Sequence, residues 1–161
     1  MSTDDAYSVP IDRQAVSIRM QSGITLDGEI FLGLFGDNLS MHQKVTMLLE
    51  GSSLFFPFRI SSSGKTEFLN KKTIRAVEVP LPEDPDNTYF SYRIMHSIPI
   101  TALFTDTDSI SGELMAEVPS DKARLSDCLN LNDIFLCVKV EKKVCYLNKD
   151  ILQKVVYLDK K

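Results

Sequence analysis

The 161-residue chain has no tryptophan, two histidines, three cysteines and seven glycines, and its 18 basic side chains do not outnumber its 22 acidic ones. Each shortage excludes something. A net charge of −4 removes the sequence-independent attraction to phosphate on which most nucleic-acid binding rests. No apolar stretch approaches the roughly 20 residues that cross a bilayer, so no membrane span is expected. Cys128, Cys137 and Cys145 form no CxxC pair and offer no zinc-ligand spacing. An odd number of cysteines in apolar contexts reads as buried, reduced thiols. The opening residues MSTDDAYSVPIDR lack the basic and apolar regions of a secretory signal, and the expected location is the cytoplasm.

The catalytic repertoire is equally thin. His42 lies in a short helical segment and His96 at the start of a later strand, and nothing in the pattern brings either to a nucleophile or an oriented water. Both read as ordinary surface or boundary residues. No P-loop, GxGxxG, GxSxG or HExxH occurs. Asp106, Asp108, Asp121 and Asp127 lack the spacing and distal glutamate of a calcium loop and read as solvated turns. Glu29 and Glu113 each follow a glycine, but alternation points both away from the core. Arg13 and Arg19 are too far apart for the RxxxR arm of a cyclic-dinucleotide barrel. Neither a metal, a cofactor nor an enzymatic activity is expected.

What the chain does have is ordinary core material, 43% hydrophobic against 25% charged residues, arranged in a repeat. Asp27-Gly28-Glu29-Ile30 matches Ser111-Gly112-Glu113-Leu114 at an offset of 84. Lys44-Val45-Thr46 with Leu49 and Phe55-Phe56 matches Arg124-Leu125-Ser126 with Leu129 and Phe135-Leu136 at an offset of 80. Leu69-Asn70-Lys71 with Ile74 and Val77 matches Leu147-Asn148-Lys149 with Leu152 and Val155 at an offset of 78. The order is kept while the offset shrinks, as a duplication with loop-length changes predicts.

Between the copies, three prolines within Pro80 to Pro85 and three acidic residues mark an extended, semi-rigid linker. The expected organisation is a flexible arm over 1–14, a first unit over 15–79, a linker over 80–90 and a second unit over 91–161. Inside each unit the dominant period is two. Val16, Ile18 and Met20 precede a Ser22-Gly23 turn and a second strand through Leu26, Ile30 and Leu32. A short helical segment follows, Met41 to Leu49 or Lys122 to Leu129, with Ser120-Asp121 and Ser126-Asp127 as cap candidates for the second. Then come an apolar strand, a hairpin turn at Ser61-Ser62-Ser63-Gly64 or Glu141-Lys142-Lys143, a brief strand, a LeuAsnLys turn and a last strand. Five short strands with one apolar face bury it most readily by bending into a small barrel. The expected fold is mainly β, with two tandem five-stranded small barrels, Sm-like or SH3-like, each carrying a short helix and related by a pseudo-twofold axis.

The first unit resembles the Sm-like small β-barrel. Val16-x-Ile18-x-Met20 leads to Gly23, Gly28 follows five residues later, Phe35-Gly36-Asp37 closes the second strand, and Ile74-x-x-Val77 resembles the end of the family's second motif. The doubled pattern is also similar to bacterial double-barrel proteins. The resemblance implies a barrel fold and, for the family, an RNA site built on an Asn shortly after the Asp and on an Arg-Gly pair. Here Asn38 follows Asp37 immediately, Leu69-Asn70-Lys71 stands in the Arg-Gly region, and the second unit reads Thr105-Asp106-Thr107-Asp108-Ser109 with no glycine turn. The family's RNA-binding residues are therefore not carried over.

The expected function is a non-enzymatic protein-association or assembly module, including contact between its own copies. Its candidate contact residues are Phe55 and Phe135, each pointing away from the core face of its strand. The alternative is an oligonucleotide-binding regulator using Lys44, Lys71, Arg124 and Lys149, which recur at equivalent positions. Cys137 and Cys145 on neighbouring strands raise the question of a disulfide, with a buried thiol favoured for Cys137.

Overall fold

The computed structural model describes residues 12–33, 39–83, 89–90, 96–116 and 124–158. The first strands are β1 (Asp12–Met20) and β2 (Thr25–Gly33), followed by helix α1 (Met41–Glu50). Next come β3 (Phe55–Ile60), β4 (Thr66–Asn70), a 3-10 turn (Lys71–Thr73) and β5 (Ile74–Pro80). The second half holds β6 (His96–Phe104), β7 (Ser109–Ala116), helix α2 (Leu125–Leu129), β8 (Phe135–Val140), β9 (Lys143–Asn148), a second 3-10 turn (Lys149–Ile151) and β10 (Leu152–Tyr157). The fold is mainly β, as the period of two predicts.

Ten strands join in one open antiparallel sheet in the order β10-β6-β7-β8-β9-β5-β1-β2-β3-β4. The expected two separate sheets give way to one because β5 pairs with β9, setting Val77 opposite Tyr146 and Val79 opposite Val144. The pairing order β5-β1-β2-β3-β4 recurs as β10-β6-β7-β8-β9, so each half presents its last strand on one side and its fourth on the other. Apolar side chains gather in two groups. One is centred on Ile18, Ile30, Phe56 and Phe58 and reaches across β5 to Phe135, Val144 and Tyr146. The other is centred on Ile100, Phe104, Leu136 and Leu147 and takes in Ala76.

Gly28 and Gly112 sit where the second strand of each half crosses the third. A Cβ on Gly28 would press on the Arg59 carbonyl oxygen and lie 2.6 Å from the Phe58 ring. One on Gly112 would lie 2.5 Å from the Lys139 carbonyl oxygen and 2.9 Å from Val138. Both positions require glycine because backbone and core side chains of the next strand occupy the space a side chain would take.

Helix α1 matches its predicted span, with His42, Val45 and Leu49 on the buried face. Its start is a capping box: Gln43 N donates to Ser40 Oγ at 3.2 Å while Ser40 N donates to Gln43 Oε1 at 2.9 Å. The second helix is shorter than expected, beginning at Leu125 behind Arg124, which makes no side-chain cap bond. Ser126 is therefore inside the helix and is not its cap, because burial of Leu125 and Cys128 sets the start. Expectations for Phe35-Gly36-Asp37, Asn38, Ser120-Asp121 and Lys122 lie outside the described residues.

Two further expectations change. The arm over 1–14 gives up Asp12, Arg13 and Gln14 to β1, where Arg13 pairs with Phe31 and its guanidinium lies 5.4 Å from that ring's centre. The linker is anchored at both described ends. Pro80 pairs with Lys143, Leu81 N donates to Lys142 O at 2.8 Å, and Tyr89 and Phe90 are buried.

Candidate functional site: the inner junction and the open edges

The junction between β5 and β9 is held by more than its ladder. His42 on α1 faces Tyr146 on β9, with Nδ1 and the phenol oxygen 2.8 Å apart, and the Tyr146 oxygen lies 2.6 Å from that of Tyr89. All three side chains are buried, and the His42 ring stacks on Tyr146 at 5.8 Å between centres. Burial pushes the His42 imidazole down to about 4 and raises both phenols above their ordinary value, so the network is neutral at physiological pH. His42 is thus a satisfied core residue and not the surface or boundary residue its sequence context suggests. It is tied to its partner by a sequence separation of 104.

Charged groups span the same junction. The Glu50 carboxylate at the end of α1 accepts from Ile134 N at 2.6 Å and Phe135 N at 2.9 Å. Glu78 on β5 accepts from Arg19 Nε at 3.0 Å and also pairs with Lys143 on β9. Asn148 Nδ2 donates across the junction to Ile74 O at 2.9 Å. Arg75 donates to Asp108 at 2.9 Å and to Asp106, and stacks over Phe104 at 5.0 Å. Asp106 and Asp108, half-exposed in the β6–β7 turn as expected, also hold that hairpin onto β5. The Arg75 guanidinium beside Asp106 lowers that carboxyl below the usual range. A cavity of about 200 Å³ opens beside this junction, lined by His42, Thr46, Met115, Phe135, Cys137 and Tyr146.

At the other ends of the sheet, no described strand pairs with the outer side of β4 or of β10. These edges carry exposed apolar groups. Phe55 is 50% exposed and Phe68 66%, whereas their repeat partners at the inner junction, Phe135 and Tyr146, are 3% and 2% exposed. On β10, Val156 and Tyr157 are exposed, whereas their counterparts on β5, Glu78 and Val79, are buried.

The two aromatic candidates thus part company. Phe55 points outward as expected, next to the open edge, while Phe135 is buried at the inner junction, where it meets the first half of its own chain. Three of the four basic candidates, Lys44, Lys71 and Lys149, are occupied within the fold. Lys71 is buried and its Nζ donates to Gly51 O at 3.0 Å; burial lowers its pKa and the Glu50 charge partly restores it. Lys149 repeats the bond with Leu131 O at 2.9 Å and pairs with Asp133. Lys44 pairs with Asp12 at 2.7 Å, and Arg124 lies exposed before α2. Glu29 and Glu113 stand opposite Arg59 and Lys139 across their ladders. Cys137 pairs with Tyr146 and Cys145 with Val138, so the two thiols point to opposite faces of the sheet. Burial pushes the Cys145 thiol up to about 11. Among the described residues no cluster of His, Cys, Asp and Glu forms a metal site.

Sequence reading missed Tyr89, Tyr146 and Glu50. Their signal was faint: Tyr146 takes the place of Phe68 in the repeat, and a polar aromatic in a core position asks for a partner. Comparison with protein-family models, with curated proteins and with solved structures found no match for this chain.

Proposed function

We propose that the chain is an internally duplicated tandem of two bent, five-stranded small-barrel units sharing one sheet, and that it works in a bacterial cytoplasm as a non-enzymatic protein-association module. One observation carries the reading: Phe68 on the outer strand β4 and Phe55 beside it on β3 are 66% and 50% exposed, while their counterparts Tyr146 and Phe135 are buried at the inner junction. Exposed aromatics beside edge backbone groups that no described strand pairs form a surface that a partner strand completes, its main chain supplying affinity and the aromatics specificity. The recurrence of Gly28 as Gly112 and of the Lys71 bond as the Lys149 bond supports the duplication. The oligonucleotide alternative loses support, since Lys71 and Lys149 spend their charge on carbonyl oxygens of their own loops.

A photo-crosslinking amino acid placed at Phe68 or Tyr157, with exposed Glu113 as the control position, tests the proposal in living cells. The expected result is adducts at 68 and 157 that protease destroys and ribonuclease does not. Adducts removed by ribonuclease, or no adducts beyond those of the control, overturn it.

A further inference from the structure

The inner junction is a template for an interface at the outer edges, and we infer that each open edge is completed by a second copy of this chain, β4 of one copy pairing antiparallel with β10 of the next. This inference rests on the association reading and names its partner. The inner junction joins a fourth strand, β9, to a fifth strand, β5. The strands left open are again a fourth and a fifth, β4 and β10. Unlike edges joined in this way give a head-to-tail, heterologous contact that closes into a ring or propagates.

The backbone donors and acceptors are in phase for it. Lys71 N donates to Leu54 O and Ile60 N to Lys65 O, so by alternation the main-chain groups of Thr66 and Phe68 point away from β3 towards the open side. Leu158 N donates to Pro99 O, which by the same alternation turns those of Val155 and Tyr157 outward from β10. At the inner junction the paired residues are Tyr146 with Val77 and Val144 with Val79. Moving each strand of that register back or forward by the 78-residue repeat offset sets Phe68 opposite Val155 and Thr66 opposite Tyr157. These are the residues whose main-chain groups face outward.

The side chains complement each other as well. Phe68 meets Val155 and Tyr157 on one face of the extended sheet. On the other face Glu67 falls opposite Val156 and diagonal to Lys154, an opposite-charge pair within cross-strand reach. Val156 replaces Glu78, whose partners Arg19 and Lys143 belong to the inner junction, and Glu67 and Lys154 stand where the inner junction has Cys145 and Ala76, so the outer contact carries its charge on a different pair of positions. Asn70, the counterpart of Asn148, stands where its amide repeats the bond across the junction, from Asn148 to Ile74 O, by reaching Leu152 O of the neighbouring copy.

Light scattering on the full chain across a concentration series should give an integer multiple of the chain mass. Phe68→Pro removes an outward N–H and leaves the β3 ladder its donors; Val155→Pro does the same on β10. Each variant alone should run at the mass of one chain. An equimolar mixture should recover a two-chain species, because each variant keeps the edge the other has lost. As a milder pair that leaves the backbone untouched, Glu67→Lys should lower the mass and Glu67→Lys with Lys154→Glu should restore it.

A wild-type chain that stays at one chain mass throughout the series overturns the inference. So does an assembly that survives both proline variants with circular dichroism unchanged, or one that ignores the charge reversal. If the crosslinks at 68 and 157 reach a different protein while the mass stays at one chain, the association reading stands and the head-to-tail pairing falls. Crosslinks to RNA would remove both.

Discussion

The two halves of the chain share the devices that set the backbone path and differ in the groups that join them. Gly28 and Gly112 permit the same strand crossing, and Lys71 and Lys149 tie the same turn to the loop after a helix. Asn70 and Asn148 each accept from the main chain two residues on, at 2.9 and 3.0 Å. By contrast, the His42–Tyr146–Tyr89 network and the Glu50 carboxylate cross from one half to the other. The difference teaches that a strand's bend is a local requirement each half must meet for itself. The inner junction is built on His42, Glu50 and Tyr146, whose matching positions in the other half hold Lys122, Asn130 and Phe68.

The comparison breaks most sharply at the glycines. Gly28→Ala and Gly112→Ala should each cost about 3 kcal/mol or more, because the added methyl collides with backbone and core atoms that cannot withdraw. Urea denaturation of the two variants checks this, and a near-neutral result at either site would separate the halves where they look most alike.

The junction-specific part is sharpened by pH. His42 titrates at about 4 in the folded chain against an ordinary value of 6.5. Well above 6.5 it is neutral both folded and unfolded and the full stability is present. As pH falls below 6.5 the unfolded chain takes up a proton that the folded chain refuses, and by pH 4 about 3 kcal/mol has been lost. Urea midpoints between pH 6.5 and 5, above the carboxylate range, should fall in the wild type and stay level in a His42→Gln chain, which begins from a lower stability.

The smallest difference lies between the lysines. Lys71→Met leaves the Gly51 carbonyl without its buried donor and should cost about 2 kcal/mol, whereas Lys149→Met, at a partly solvated site, should cost about 1 kcal/mol. Thermal melts of both variants give the order, and unchanged melting with lost nucleic-acid retention would return these residues to the oligonucleotide reading.

Much of the architecture was legible because its causes are local. Alternating apolar residues announced the strands, and Ser61 to Gly64 marked a turn that the chain makes with Gly64 at a φ of 70°. The three matched sequence blocks fall on corresponding elements of the two halves. Phe55 was rightly placed on the outward side of its strand, since alternation alone decides which face a strand residue takes. Phe135 obeys the same alternation yet is buried, because what covers an outward face is another part of the chain. The roles of His42, Glu50 and Tyr146 were hidden for the same reason: their partners lie 57 to 104 residues away.

By itself the sequence determined the period-two strands and the first helix and matched Gly28 with Gly112, because each follows from constraints between neighbours along the chain. Only the tertiary structure decided that β5 pairs with β9 to make one sheet, that a histidine and two tyrosines become a neutral buried network, and that β4 and β10 are the outer strands among the described residues. Those outcomes depend on which edge meets which, and edge pairing is a matter of through-space backbone complementarity that no short window of residues encodes.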